Sequence, residues 1–267
     1  RKWREIKMKV ETIIKELDLE FPRTFAMDWD NPGLQVGSSR KEVKKVLVAL
    51  DATNEVIEEC IAWHADLLLT HHPLLLSGIR QINDGSMHGR KVLMLAENGI
   101  AHYAMHTNYD AAKMAELAGA RLHLQNQVTL EQTGCVDGVP YGIGCIGEFE
   151  MELTAQECCQ LVKEAFQLPH VRLFGKKETK IKKAAVCPGS GKSMIGEALA
   201  GGAQIYITGD IGHHDGLDAM DQGLSIIDAG HYGIEQIFIP HMEAWMKTHF
   251  GELEVKRAKQ GEPFEVI

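Results

Sequence analysis

Long apolar runs are absent from this chain: no stretch approaches the roughly 20 residues that a bilayer-crossing helix needs, which excludes a helical span within it. CxxC pairs are absent as well. The six cysteines, Cys60, Cys135, Cys145, Cys158, Cys159 and Cys187, therefore form neither a zinc ribbon nor a redox motif, and read as reduced core residues of a cytoplasmic protein. Cationic excess is lacking too. Lys plus Arg number 28 against 37 Asp plus Glu, and the formal charge of -9 opposes non-specific attraction to nucleic acid or an anionic membrane. The basic opening, Arg1 to Lys7, has no apolar segment or cleavage site of a secretory signal and reads as an extension ahead of Met8. No repeat of fixed period is visible.

What is present is enough apolar material, 45% of 267 residues, to bury a sizeable core in one large or two modest domains. An apolar stripe of Ile13, Ile14 and Leu17 predicts a helix over Val10 to Leu19. A polar turn follows at Asp28 to Gly33, where Trp29 either walls a pocket or covers the edge of the core. Then strands and helices alternate: strand Val46–Leu50, helix Asn54–Trp63 capped by Thr53 or Asn54, strand Asp66–Leu69, helix Arg90–Asn98 stopped by Gly99, strand Ile100–Met105. Such βαβ grammar with unbroken apolar strands predicts an α/β fold with a mainly parallel sheet and flanking helices.

A helix over Ala111 to Leu117 is expected to end at Gly119. The glycine-rich stretch from Val128 to Phe149 suggests turns and sheet edges. Thr154 to Phe166 is helical, with Thr154 and Glu157 spaced as a capping box, and Val171 to Phe174 is extended. Lys176 to Lys183 reads as an exposed connection. Strands over Ala184–Cys187, Gln204–Ile207 and Leu224–Ile227 restore the α/β rhythm, with a helix from Lys192 to Leu199. A last helix runs from His231 towards Phe250, kinked or divided by Pro240, before an edge strand at Leu253–Lys256. Residues 8–127 plus 231–267 are assigned to a first domain and 128–230 to a second.

Histidines and carboxylates collect where apolar strands end. His71 and His72 close one strand, His106 to Asp110 follow another, and His231 to Glu235 open a helix. Ends of strands in open α/β sheets are where ligands bind. Adjacent residues of an extended chain point apart, so two neighbouring histidines serve two ions, roughly 3.5–4 Å apart, better than one. His231 and Glu235, four apart on a helix, share a face. A histidine taken singly is more often a surface group, and H-x-x-x-E alone is common by chance; three such strand ends together point to a metal centre. Nitrogen and oxygen donors without cysteine suit zinc, manganese, iron or cobalt. Two divalent ions bring four positive charges and the carboxylates of Asp110 and Glu235 cancel two, leaving a field that attracts phosphate or a developing oxyanion. Asp210, His213 and His214, past the strand ending at Ile207, are candidates for supporting the ligands or contacting substrate, or are polar loop residues. His64, His88, His102, His123, His170, His241 and His249 lack such convergence.

The loop from Cys187 to Ser193 imitates a phosphate-binding loop, but the pattern needs a glycine where this chain has Val186, so a tight strand-to-helix turn is expected. Cys60 and Cys187 have no visible base nearby and read as apolar filling.

Taken in order, T-H-H-P (Thr70 to Pro73), H-T-N-Y-D (His106 to Asp110), P-G-S-G (Pro188 to Gly191), T-G-D-I-G-H-H-D (Thr208 to Asp215) and H-Y-G-I-E (His231 to Glu235) resemble the NIF-three-like family, whose members are labelled GTP cyclohydrolase I type 2 homologues. The likeness runs from Met8 over nearly the whole chain. It implies a two-domain fold of the compact form, a dinuclear metal site and a toroidal homohexamer. His71, His72, Asp110, His231 and Glu235 would be ligands, with Glu235 bridging. His106, Asp210, His213 and His214 would lie nearby, with His106, His213 and His214 available for proton transfer. The implied activity is metal-dependent hydrolysis of a small phosphorylated or nucleotide-like substrate, GTP cyclohydrolase chemistry included. The reading left beside it is an oligomeric interaction or metal-handling protein without catalysis.

Overall fold

The computed structural model describes residues 7–267; the basic opening as far as Ile6 lies outside the described residues. Its strands are β1 (Gly33–Val36), β2 (Lys45–Ala49), β3 (Leu67–Thr70), β4 (Ala101–Ala104), β5 (Gln125–Val136), β6 (Val139–Thr154), β7 (Arg172–Phe174), β8 (Lys180–Ser190), β9 (Ile205–Gly209), β10 (Ser225–Asp228) and β11 (Glu254–Arg257). They form two sheets in two compact units. The first unit holds the chain up to Tyr109 and Phe238–Gly261; the second holds Asp110–Ile237 and Glu262–Ile267. This division differs from the one expected from sequence. The helix Ala115–Arg121 packs on β6 and β8, and the helix His231–Glu235 on β8 and β9, so both go with the second sheet.

In the first unit the order is β1-β4-β3-β2-β11, with β11, β2, β3 and β4 parallel and β1 antiparallel to β4. β3 is buried at all four residues, which explains its unbroken apolar sequence. The helices Asn54–Trp63 and Met87–Glu97 supply Val56, Ile57, Cys60, Val92 and Leu95 to a core with Leu47 and Leu68. Thr53 caps the first of them, its hydroxyl accepting the Val56 N–H at 3.2 Å. The register pairs Ala49 with Thr70 and Thr70 with Ala104, so the residues that leave the sheet after β2, β3 and β4 emerge level with one another.

The second sheet is mixed, in the order β5-β6-β8-β9-β10-β7, with β8, β9 and β10 parallel and the other pairings antiparallel. The glycine-rich stretch expected to hold turns and sheet edges is one long β5–β6 hairpin, with β5 at the edge of the sheet. Its turn is Asp137-Gly138, both at positive φ (51° and 81°), the combination that matches the twist of a two-residue hairpin. The lysine-rich connection is strand from Lys180 onward, and the Lys182 ammonium donates to the carbonyls of Phe149 and Glu150 on β6 at 2.7 and 2.8 Å. Gly119 does not end its helix, which continues to Arg121. A Cβ at Gly119 would collide with the Gln127 side chain and come 2.7 Å from Cys145 Sγ, so glycine is there for close packing. The Thr154–Glu157 capping box opens the helix Ala155–Phe166. Of the two outcomes expected at Pro240, the last helix is divided and not kinked. The chain breaks before the proline, between His231–Glu235 and Phe238–His249, and Pro240 sits in the first turn, where its missing N–H leaves no bond unmade.

All six cysteines are free; Cys60, Cys145, Cys158 and Cys187 are buried, whereas Cys135 is exposed on the hairpin. Burial pushes the four buried thiols up to about 12, as expected for core filling and not for nucleophiles. Among the described residues no helix is long and apolar enough to cross a membrane.

Candidate metal centre

Level emergence from β2, β3 and β4 decides the site of the first unit. Two residues beyond the paired positions lie Asp51, His72 and His106, in line across three neighbouring strand ends, with His71 one residue earlier. Ligand nitrogens of His71, His72 and His106 lie within 4.8 Å of one another, close enough to hold a metal ion. The ring centroids stand 5.0 Å (His71–His72), 5.4 Å (His71–His106) and 5.6 Å (His72–His106) apart. His71 is fully buried.

Each of these rings is held at Nδ1 by an oxygen. His71 Nδ1 lies 2.7 Å from the Met105 carbonyl, His72 Nδ1 2.7 Å from Asp51 Oδ1, and His106 Nδ1 2.8 Å from Asp30 Oδ1. A carbonyl or a carboxylate only accepts, so Nδ1 carries the proton and the lone pair is fixed on Nε2. That is the arrangement by which carbonyls and carboxylates orient metal-binding imidazoles. Asp51 is itself steadied by Gln260, whose amide accepts the N–H groups of Leu50 and Asp51 at 2.9 and 3.2 Å.

Asp30 comes from the polar turn ahead of β1. Burial pushes its carboxyl up, but the bonds from His106, Thr107 and Asn31 outweigh burial and hold it at about 2. It stays ionised and keeps the proton on His106 Nδ1. Beside it Trp29 stands edge-on to His106, centroids 5.8 Å apart, with 58% of its surface exposed.

The second unit repeats the device. β9 and β10 are parallel with Thr208 opposite Asp228, so Asp210 and His231 both follow strand ends at the same edge. His231 donates from Nδ1 to Asp210 Oδ2 at 2.7 Å, and its Nε2 lies 3.1 Å from Glu235 Oε2 one helical turn on. Asp110 opens a five-residue π-helical turn, a distortion common at functional sites, and its carboxylate oxygen lies within 4.8 Å of that of Glu235. Glu235 is buried. Gly189 lies against it at φ 83°, where a Cβ would collide with Glu235 Oε1 and come 3.8 Å from His231 Nε2. The loop that imitated a phosphate-binding motif thus makes room for a carboxylate. Glu235 lies close to Asp110 on one side and His231 on the other, and oxygen and nitrogen donors of these kinds suit a divalent cation.

His213 and His214 do not join these groups. They open the helix His213–Asp221, are exposed, and their rings lie 5.2 Å apart; among the described residues no metal-holding group includes them. Sequence reasoning missed Asp30, Asp51 and Gln260. For Asp51 a signal existed, because it follows β2 at the interval by which His72 follows β3.

The Duf34/NIF3 (NGG1p interacting factor 3) family model matches residues 8–263. The chain belongs to this family. Among curated NIF3 relatives, a "GTP cyclohydrolase 1 type 2 homolog" of Clostridium perfringens is 34% identical, over 97% of this chain and all of the relative. Another of that name, from Streptococcus pneumoniae, is 33% identical over 89% of each. Solved structures include a Bacillus cereus protein related to NIF3 (TM-score 0.89, 24% identity, 98% of this chain and 99% of that one). Reduced HcgD from Methanocaldococcus jannaschii is also similar (TM-score 0.83, 30% identity, 96% of this chain and all of that one). The NIF3 fold is therefore the fold of this chain.

Proposed function

We propose that His71, His72, Asp110, His231 and Glu235 are ligands for two divalent ions, zinc, manganese, iron or cobalt, with Glu235 bridging. On this reading the protein hydrolyses a small phosphorylated or nucleotide-like substrate. The observation that carries it is the fixing of Nε2 as the lone-pair nitrogen in all four histidines, each by an oxygen at 2.7–2.8 Å on Nδ1. Rings oriented only by packing have no reason to share one tautomer. The relatives' names, GTP cyclohydrolase 1 type 2 homologues, favour a nucleotide-like substrate.

When bound, a pair of divalent ions would lower the pKa of a bound water towards neutrality and stabilise developing negative charge. The protein's own part is positional. Asp51 and Asp210 hold His72 and His231, and Gly189 leaves room for the Glu235 carboxylate. His106, with its Nδ1 proton held by ionised Asp30, takes up or returns a proton at Nε2. That role goes to His106 and not to His213 or His214, which lie outside both donor sets. A homohexamer in the cytoplasm completes the proposal; the free cysteines agree with the latter.

Elemental analysis of the purified protein and of Glu235→Ala tests the centre. Two ions per chain and loss of at least one in the variant are expected; unchanged stoichiometry removes the bridging role. Turnover by metal-loaded protein on GTP and small phosphorylated metabolites tests the reaction. If nothing turns over while both ions are bound, hydrolysis is abandoned and metal binding without catalysis stands.

A further inference from the structure

Trp29 has no part in the chemistry proposed above, yet the fold takes trouble to display it. Its indole is 58% exposed, so it does not cover the edge of the core. The turn that bears it is fastened on both sides of the tryptophan. Asp30 N–H donates to the Met27 carbonyl at 2.9 Å, and Met27 N–H donates to Thr107 Oγ1 at 2.9 Å. The Asp30 carboxylate accepts from His106 Nδ1 (2.8 Å), Thr107 N–H (3.0 Å) and the Thr107 hydroxyl (2.5 Å). The Asn31 amide donates to the Leu75 carbonyl at 2.5 Å, tying the same turn to the chain just past His71 and His72.

These bonds fasten the turn, and the indole it carries stands edge-on to His106, with centroids 5.8 Å apart and planes at 76°. Burying such a ring would release up to about 3 kcal/mol, and a turn so fastened gives it no route inward. Its neighbours in sequence, Asp28, Asp30 and Asn31, are polar.

We propose that Trp29 is a stacking platform for a planar heteroaromatic ring, the base of a nucleotide-like ligand, laid alongside the histidines of the first unit. The assignment names the substrate class of the function proposed above and rests on that reading for where the reaction occurs. Stacking on an aromatic side chain tolerates any base and contributes about 1–3 kcal/mol per base, so it supplies affinity for a flat ring without dictating which one.

Calorimetric titration of the metal-loaded full chain with guanosine monophosphate and with ribose 5-phosphate separates the ring from the sugar phosphate. Wild type should prefer the nucleotide. Trp29→Ala should weaken nucleotide binding about 10- to 100-fold, leaving ribose 5-phosphate affinity and metal content unchanged, and Trp29→Phe should recover most of the loss. The proposal is overturned by equal wild-type affinity for the two probes, no nucleotide binding at all, an unchanged nucleotide affinity in Trp29→Ala, or a loss shared by both probes. A variant altered only in sedimentation would make the indole a contact between copies and overturn it too. Should elemental analysis find no metal in wild type, the hydrolase reading fails separately, and the nucleotide difference between wild type and Trp29→Ala still decides the platform.

Discussion

His231 donates its Nδ1 proton to Asp210 at 2.7 Å, and Asp210 accepts it from a left-handed backbone, φ 58°. A β-carbon makes that conformation unfavourable by about 1–2 kcal/mol, less for aspartate than for most residues, so local geometry is spent on placing one carboxylate. Asp210→Ala should lower metal affinity about 10- to 100-fold, measured by competition with a chromogenic chelator. Asp210→Gly loses the same carboxylate and relieves the backbone; it should match the alanine variant in metal affinity and exceed it in thermal stability. A difference in metal affinity between the two would assign the effect to the backbone.

Asp228 anchors the two chain segments that carry that pair. Buried at the end of β10, it accepts from the Arg172 guanidinium, from Ile211 N–H at 3.0 Å and from Gly230 N–H at 2.9 Å. Asp228→Ala leaves buried donors unpaired and should lower stability by about 2–4 kcal/mol in urea denaturation. Arg172→Ala removes only one, largely exposed, partner and should lose less than half as much. Equal losses would mean the ion pair alone matters.

Gly189 and Gly223 have nearly the same backbone, φ 83° and 86°, but only Gly189 faces Glu235, whereas a Cβ at Gly223 meets nothing within 4 Å. Alanine at either should cost stability by about 1 kcal/mol through the backbone. Gly189→Ala should in addition reduce bound metal, by elemental analysis, while Gly223→Ala keeps the wild-type content. Full metal in Gly189→Ala would separate that glycine from the centre.

His102 is fully buried within β4, its Nε2 2.8 Å from the Thr70 hydroxyl, which in turn donates to the His72 carbonyl at 2.7 Å. Burial pushes its pKa down to about 3 from the ordinary 6.5. Between those values the unfolded chain takes up a proton that the folded chain refuses, so stability falls on acidification from about pH 6.5 to about pH 3 and the contribution levels off below. In His102→Leu that part of the slope should vanish from a series of denaturation curves at stepped pH. An unaltered slope would mean His102 titrates ordinarily in the fold.

Much of this protein could be read from the chain itself. Helix Asn54–Trp63, its Thr53 cap and the Thr154–Glu157 box follow from local hydrogen bonding and apolar spacing, which neighbours in sequence suffice to specify. The histidines at the ends of β3, β4 and β10 were visible because an apolar strand that stops at polar residues marks the sheet edge. Register, however, is a relation between strands. Only the pairing of Ala49, Thr70 and Ala104 sets Asp51, His72 and His106 level, and only it gives Asp51 its partner. Asp30 meets His106 across 76 positions of sequence, and His213 and His214 are instead the first two residues of a helix and join no metal-holding group among the described residues. Side-chain chemistry is written residue by residue; which donors share a space depends on hydrogen bonds between distant segments, and those exist only once the sheets have formed.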